Sequence, residues 1–251
     1  MLSRAAVRVS RALRRRVGHE VEAHLHRHAF TRPSPRSALG FGPRSIRGIT
    51  QGLPWVSSDP VSHDYSLPNP SWTPELRRLY EHYEARRDEG WKRLPSYGRS
   101  VTHDRDGRFP DSLIHPEARL FTRNLPQGSG FEYAVFVSRA QRSAVCICQC
   151  GPRLEGPPGH VHGGAIATII DSAVGICATY ISGFVLTANL NINYRSPVSL
   201  GSVILLDCKV ERVEGRKTFV SCRVTSADGS TVHAEATGLF VSIDVKHLTE
   251  Q

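Results

Sequence analysis

Apolar residues recur at three- and four-residue steps through Ile166, Ile169, Ile170, Ala173, Val174, Cys177, Ala178 and Ile181, the spacing that lines one face of an α-helix. No proline interrupts the span, and Gly163 and Gly164 stand where its first turn would begin. A second stripe, Leu76, Leu79, Tyr80 and Tyr83, follows Thr73-Pro74-Glu75. Threonine caps helices well and proline suits the first helical position, so a helix is predicted there, ending near Gly90. Leu186 to Tyr194 alternates apolar and polar residues with the period of two that marks a half-buried strand, which places Thr187, Asn189, Asn191 and Asn193 on one face. Segments 119–125, 131–138, 143–150, 201–213, 216–226 and 231–243 also read as strands. Gly128-Ser129-Gly130, Glu214-Gly215 and Asp228-Gly229 mark turns between some of them, so an antiparallel meander is expected. One long apolar helix followed by long strands predicts an α+β fold whose sheet wraps around that helix. No internal repeat is visible.

Charge divides the chain unevenly. Residues 1–48 carry eleven arginines, no lysine and two acids, a net of +9, so the remaining 203 residues are balanced. Arg4, Arg8, Arg11 and Arg15 follow one helical face while Leu2, Ala6, Val9 and Leu13 follow another. This is the pattern of a mitochondrial presequence, and it is preferred over a basic arm for nucleic acid because the basicity is confined to an acid-poor amphipathic leader. No apolar run approaches the roughly 20 residues that span a bilayer. Six cysteines without a secretory signal point to reduced thiols. The expected organisation is a cleaved presequence over 1–40, an arm and helix over 41–115 and a core domain over 116–245.

The candidate chemistry gathers at the start of the long helix. A helix beginning at Gly163 would present unpaired N–H groups and positive dipole there, and glycine lets a carbonyl oxygen approach them closely. Gly164 and Asp171, seven residues apart, fall on nearly the same side of the helix. An oxyanion would find donors at one end and a carboxylate base along one flank. His162 and Asp171 would nevertheless stand roughly 13 Å apart at 1.5 Å per helical residue, too far to share one substrate atom within one subunit. A site pairing His162 and Gly163 of one chain with Asp171 of another is therefore expected, making the enzyme a dimer or a dimer of dimers. The row of three asparagines is unusual for a strand and would suit an amide-rich ligand such as pantetheine.

Other groupings carry less. His160 and His162 have metal-ligand spacing but lack a convincing further ligand, so no metal is expected. Cys146, Cys148 and Cys150 alternate, which places them on one strand face rather than around an ion. The Gly-x-Ser-x-Gly elbow and the phosphate-binding loop ending in Lys-Ser or Lys-Thr are both absent from the sequence.

His162-Gly163-Gly164 leading to Asp171 in a helix, then long strands, resembles the hotdog-fold acyl-CoA thioesterases. Longer stretches resemble one branch of that family: Pro68 to Trp72, Trp91 to Tyr97, Leu120 to Arg123, Gly130 to Tyr133, Leu154 to Gly159, Thr187 to Tyr194 and Val213 to Lys217, covering about residues 66 to 245. The resemblance implies a hotdog fold carrying an extra N-terminal helix, and a mitochondrial enzyme, in the matrix or intermembrane space, that hydrolyses medium- and long-chain fatty acyl-CoA. It implies Asp171 as general base or nucleophile, His162 and Gly163 as the binding place of the thioester carbonyl, with Gly164 beside them, and Thr187 as the group orienting water. Asn193, Arg195, Arg216 and Lys217 would contact CoA, Arg195 replacing a lysine expected in near relatives. The CoA thioester is then substrate, and no cofactor is required. The same resemblance implies an interaction with the kinase Akt, peripheral contact with the mitochondrial inner membrane, and a cytosolic or plasma-membrane pool. A regulatory Akt-binding protein is thus the alternative reading. A third, a hotdog hydratase of enoyl-CoA, is disfavoured because such enzymes pair Asp and His a few residues apart in one chain.

Overall fold

The computed structural model describes residues 64–96 and 121–244. The expected presequence, the arm up to residue 63 and the boundary expected at residue 115 lie outside the described residues. Among the described residues two α-helices and seven strands follow in the order α1 (Pro74–Glu84), β1 (Lys92–Leu94), β2 (Phe131–Ser138), β3 (Ser143–Cys150), α2 (Gly163–Ser182), β4 (Val185–Tyr194), β5 (Val203–Glu214), β6 (Lys217–Ser226) and β7 (Val232–Ser242). The strands form one antiparallel sheet in the order β1-β2-β3-β5-β6-β7-β4.

The expected meander holds for β2-β3 and within β5-β6-β7 and fails between them, and β1, which the sequence pattern does not predict, pairs with β2. At 1.5 Å per residue α2 is roughly 30 Å long, and it packs against β2 through β7. The chain has therefore crossed the sheet before β4 begins, so β4 joins the far edge and β3 pairs with β5. Of the strand expected over 119–125, the described part, from residue 121, holds instead a 3-10 turn at Phe121–Arg123, with Phe121 exposed. Arg123 binds the carbonyls of Tyr65 and Tyr133, and Thr122 bonds the Tyr133 hydroxyl at 2.8 Å. Those side-chain bonds take the place of a ladder.

The sheet is covered unequally. Its inner face receives α2, which buries Ile166, Ile169, Ile170, Ala173, Val174, Cys177 and Ala178. By length and composition α2 could cross a bilayer, contrary to the expectation that no segment would, but that buried stripe makes it the core helix of this sheet. The outer face of β2, β3 and β5 is covered by α1, whose Leu76, Leu79, Tyr80 and Tyr83 pack with Trp72 and Trp91 on Phe136, Val145 and Ile147. Tyr83 stacks on Phe136 at 5.4 Å between ring centroids. α1 ends at Glu84, and a separate 3-10 turn leads to Gly90, whose φ of 84° suits glycine. Covered on both sides, β2 and β3 are buried almost throughout, whereas most of β4 is exposed.

Polar clamps hold the segment before α1. Buried Glu132 accepts from the Trp72 indole (2.9 Å), the Asn69 amide (2.9 Å) and the Gly128 N–H (2.7 Å). Gln149 accepts from the Thr73 N–H at 2.8 Å and donates to the Ser71 carbonyl at 3.0 Å. Asp64 accepts from Ser66, from the Ser96 N–H and from Arg93. Burial pushes the Asp64 carboxyl up, but these hydrogen bonds outweigh it and hold the group at about 2.

All six cysteines are reduced and lie in the core shared with α2. Cys146, Cys148 and Cys150 share one face as their alternation implies, and Cys208 sits opposite Cys222 on β5 and β6. Burial pushes the Cys177 thiol up to about 12 and raises Cys146 and Cys148 above the ordinary thiol range.

Candidate active site

A short hairpin presents His162. Glu155 bridges to Val161, the Gly156 N–H reaches the His160 carbonyl at 2.9 Å, and the Glu155 side chain accepts from the Gly159 N–H at 2.8 Å. The His162 N–H is fixed on the Leu154 carbonyl at 2.8 Å. Gly156 is required here because a Cβ would come within 2.7 Å of His162 Cα.

His162 is the N-cap of α2, with φ −62° and ψ 136°. Its Nδ1 accepts from the Gly164 N–H at 2.9 Å, which makes Nε2 the proton-bearing nitrogen of the neutral ring. The His162 carbonyl accepts from Ala165 and Ile166 at 2.9 and 3.1 Å. Of the first N–H groups, that of Gly163 alone makes no hydrogen bond among the described residues. The two glycines thus differ. Gly164 lacks a Cβ because one would stand 2.9 Å from His162 Nδ1, whereas Gly163 carries the open donor.

Asp171 is half-buried on α2 and accepts a hydrogen bond from the Thr187 hydroxyl at 3.0 Å. The strand register explains how Thr187 reaches it. Thr187 pairs with Phe240 and Asn189 with Leu239, so Ala188 is an extra residue, a β-bulge. Phe240, Ala236 and Ala234 belong to the core with α2. Residues paired across neighbouring strands share a face, so Thr187 points inward with Leu190, Ile192 and Tyr194. Asn189, Asn191 and Asn193 lie on the outer face instead. The expected single row of four polar residues is corrected to one inward threonine and three outward asparagines, the bulge having reversed the alternation.

The remaining sequence-predicted residues are not all brought together within one chain. Asn193 donates to Asn191 at 3.4 Å, and Arg195 grips Glu235 through Nε and Nη2 at 3.0 and 2.8 Å. Arg216 and Lys217 sit at the β5-β6 turn, where Gly215 has φ 57°. Asn193 pairs with Glu235 and Lys217 with Val241 of β7, six residues apart, which is about 20 Å along a strand. Likewise Gly163 lies beside Tyr194 at one end of β4 and Asp171 beside Thr187 near the other. Tyr194, which the sequence pattern does not single out, donates its hydroxyl to the Gly163 carbonyl at 2.9 Å.

Residues 158–233, which contain His162, Gly163, Asp171, Thr187 and Tyr194, match the thioesterase superfamily. The chain is 48% identical over 192 residues to acyl-coenzyme A thioesterase THEM4 of Xenopus laevis, covering 76% of this chain and 85% of that protein. It is 46% identical over 215 residues to THEM4 of Rattus norvegicus, covering 82% and 93%. The chain belongs to the acyl-coenzyme A thioesterase family. Among solved structures it is similar to zebrafish thioesterase superfamily member 2, with a TM-score of 0.40, 20% identity and coverage of 45% and 81%. In this acyl-CoA thioesterase the helix, the seven-stranded antiparallel sheet and the additional helix α1 correspond to the expected hotdog architecture. Among the described residues no group of three or more His, Cys, Asp and Glu side chains is placed to hold a metal ion. A cavity of about 660 Å³ opens on the outer face between Tyr83, Trp91, Asp207 and Arg223, and none of the candidate residues lines it.

Proposed function

We propose that this acyl-CoA thioesterase hydrolyses medium- and long-chain fatty acyl-CoA at a site assembled from two subunits. The observation that carries the reading is the pairing of Asp171 with Thr187 on an exposed flank of α2, together with the open Gly163 N–H at its start. Asp171 takes a proton from a water that the Thr187 hydroxyl helps to hold, and the water oxygen attacks the thioester carbonyl. Positioned general bases contribute about 10²–10⁴ in rate. Negative charge forming on the carbonyl oxygen meets the Gly163 N–H and the positive end of the helix. Collapse of the adduct breaks the C–S bond, and the proton returns from Asp171 to the CoA sulfur. Single turnover in ¹⁸O-water separates this route from direct attack by Asp171, which alone would place label in that carboxylate.

The edge strand supports the two-subunit arrangement. Among the described residues β4 pairs only with β7, which leaves its other edge of N–H and C=O groups open there, and Leu186 and Tyr194 beside it are exposed. Antiparallel pairing of β4 with its copy about Leu190 and Asn191 would set the Thr187 end of one strand against the Tyr194 end of the other. Asp171 of one chain would then face Gly163 of its partner, and Arg216 and Lys217 would approach the partner's end of β4 that carries Asn193 and Arg195. The arginine pattern of the leader supports mitochondrial import.

The test is thiol release from a panel of acyl-CoA substrates, with Asp171→Ala expected to abolish turnover while folding and dimerisation persist. Gly163→Pro removes the proposed donor. Co-expression of these two inactive variants should restore about one quarter of the wild-type sites, because half of randomly formed dimers are mixed and each has one intact site of two. Activity remaining in Asp171→Ala would refute the assignment of the base, and no recovery on mixing would refute sharing.

A further inference from the structure

Tyr194 ends β4 with an aromatic side chain that is 52% exposed in the single chain, so packing within the chain does not account for it. Its hydroxyl donates to the Gly163 carbonyl at 2.9 Å, and its ring and hydroxyl atoms lie 3.8 to 4.0 Å from where a Cβ on Gly163 would stand. The carbonyl of Gly163 and the N–H of Gly164 are the two polar groups of a single peptide unit. Tyr194 holds the first, and His162 Nδ1 holds the second at 2.9 Å. That plane is therefore clamped from both edges, by the strand and by the cap.

We infer that Tyr194 is a positioning residue of the thioester site, fixing the Gly163 backbone so that its open N–H stays aimed at the developing oxyanion. This rests on the hydrolase reading above. Glycine has the widest backbone freedom of any residue, and two glycines opening a helix would leave its first turn loosely held. Electrostatic stabilisation of a transition state depends on donors that need not reorganise. A hydroxyl on a neighbouring strand supplies that rigidity without occupying the donor itself.

The bulge is what makes this possible. Thr187 and Tyr194 are seven residues apart, and in a regular strand an odd separation puts two side chains on opposite faces. The extra residue at Ala188 brings both to the inner face, so one strand grips α2 at Asp171 and at Gly163. β4 thus sets the spacing between the base-bearing and donor-bearing points of the helix.

The experiment compares full-length wild type with Tyr194→Phe, which keeps the ring and deletes the hydroxyl. Steady-state hydrolysis of one acyl-CoA is measured together with hydrogen exchange of the peptide spanning residues 162–166. The expected result is a fall in kcat of about tenfold, the scale of one hydrogen bond, with KM unchanged and faster exchange confined to that peptide. A rise in KM with kcat unchanged would make Tyr194 a substrate contact and overturn the positioning role. Unchanged kinetics in an active enzyme would overturn this role alone. An inactive wild type would overturn the hydrolase reading and this role with it.

Discussion

The two helices begin alike and differ in what they do with their first turn. Both are capped by a side chain: Thr73 accepts from the Leu76 N–H at 3.3 Å, and His162 accepts from the Gly164 N–H at 2.9 Å. After its cap α1 continues with Pro74 and Glu75, a residue with no N–H to satisfy and an acid that complements the dipole. Even the N–H of Thr73 is taken by Gln149. α2 continues with two glycines and no acid in its first turn, and one of its N–H groups stays open. The first helix opens on a residue without an N–H followed by an acid, whereas the second keeps an exposed N–H at its first position with no side chain beside it. The residues after the cap, and not the cap itself, thus distinguish the two helix N-termini.

That contrast can be broken by making α2 start as α1 does. Gly163→Pro should cost about 10²–10³ in kcat, the usual effect of deleting one oxyanion donor, without lowering the melting temperature, since the ψ of 136° at His162 already suits a residue before proline. A large loss of Tm would mean that Gly163 is needed for folding. The opposite perturbation removes a buried contact from α1. Leu76 is fully buried, and Leu76→Ala should destabilise the protein by about 2–5 kcal/mol in denaturant unfolding while the kcat of folded enzyme is unchanged. Thr73→Ala should cost only about 1 kcal/mol by the same measurement. The mildest effect is one of pH. The Asp64 carboxyl is held at about 2, below its ordinary 3.8, so its contribution to stability is complete above about pH 4 and is lost as pH falls through 2. Asp64→Asn should flatten the acid limb of the stability curve in that window.

Local pattern made much of this legible. Apolar periodicity located α2 and α1, and Thr73, Pro74 and Glu75 signalled the start of the latter. The long hairpins β5-β6-β7 followed from strand-like segments and from the turns at Glu214-Gly215 and Asp228-Gly229. Three features were not legible, for different reasons. The bulge at Ala188 leaves no trace in composition, because the apolar-polar alternation runs straight through it and only pairing with β7 reveals the reversal. The edge position of β4 depends on how far α2 carries the chain across the sheet. Residues 121–123 imitate a strand in type, but their polar groups are satisfied by Tyr65 and Tyr133. At the site, the sequence placed His162, Gly163 and Asp171 on the right elements and overlooked Tyr194, whose role rests on a contact with a residue 31 positions away.

The six sulfur atoms of the core make the protein its own opening gauge. Each thiol is shielded in the folded chain, and the raised proton affinity of Cys146, Cys148 and Cys177 keeps them from ionising at neutral pH. Alkylation therefore proceeds only from molecules whose sheet has parted from α2. Its rate counts how often the two separate, and does so without an introduced label.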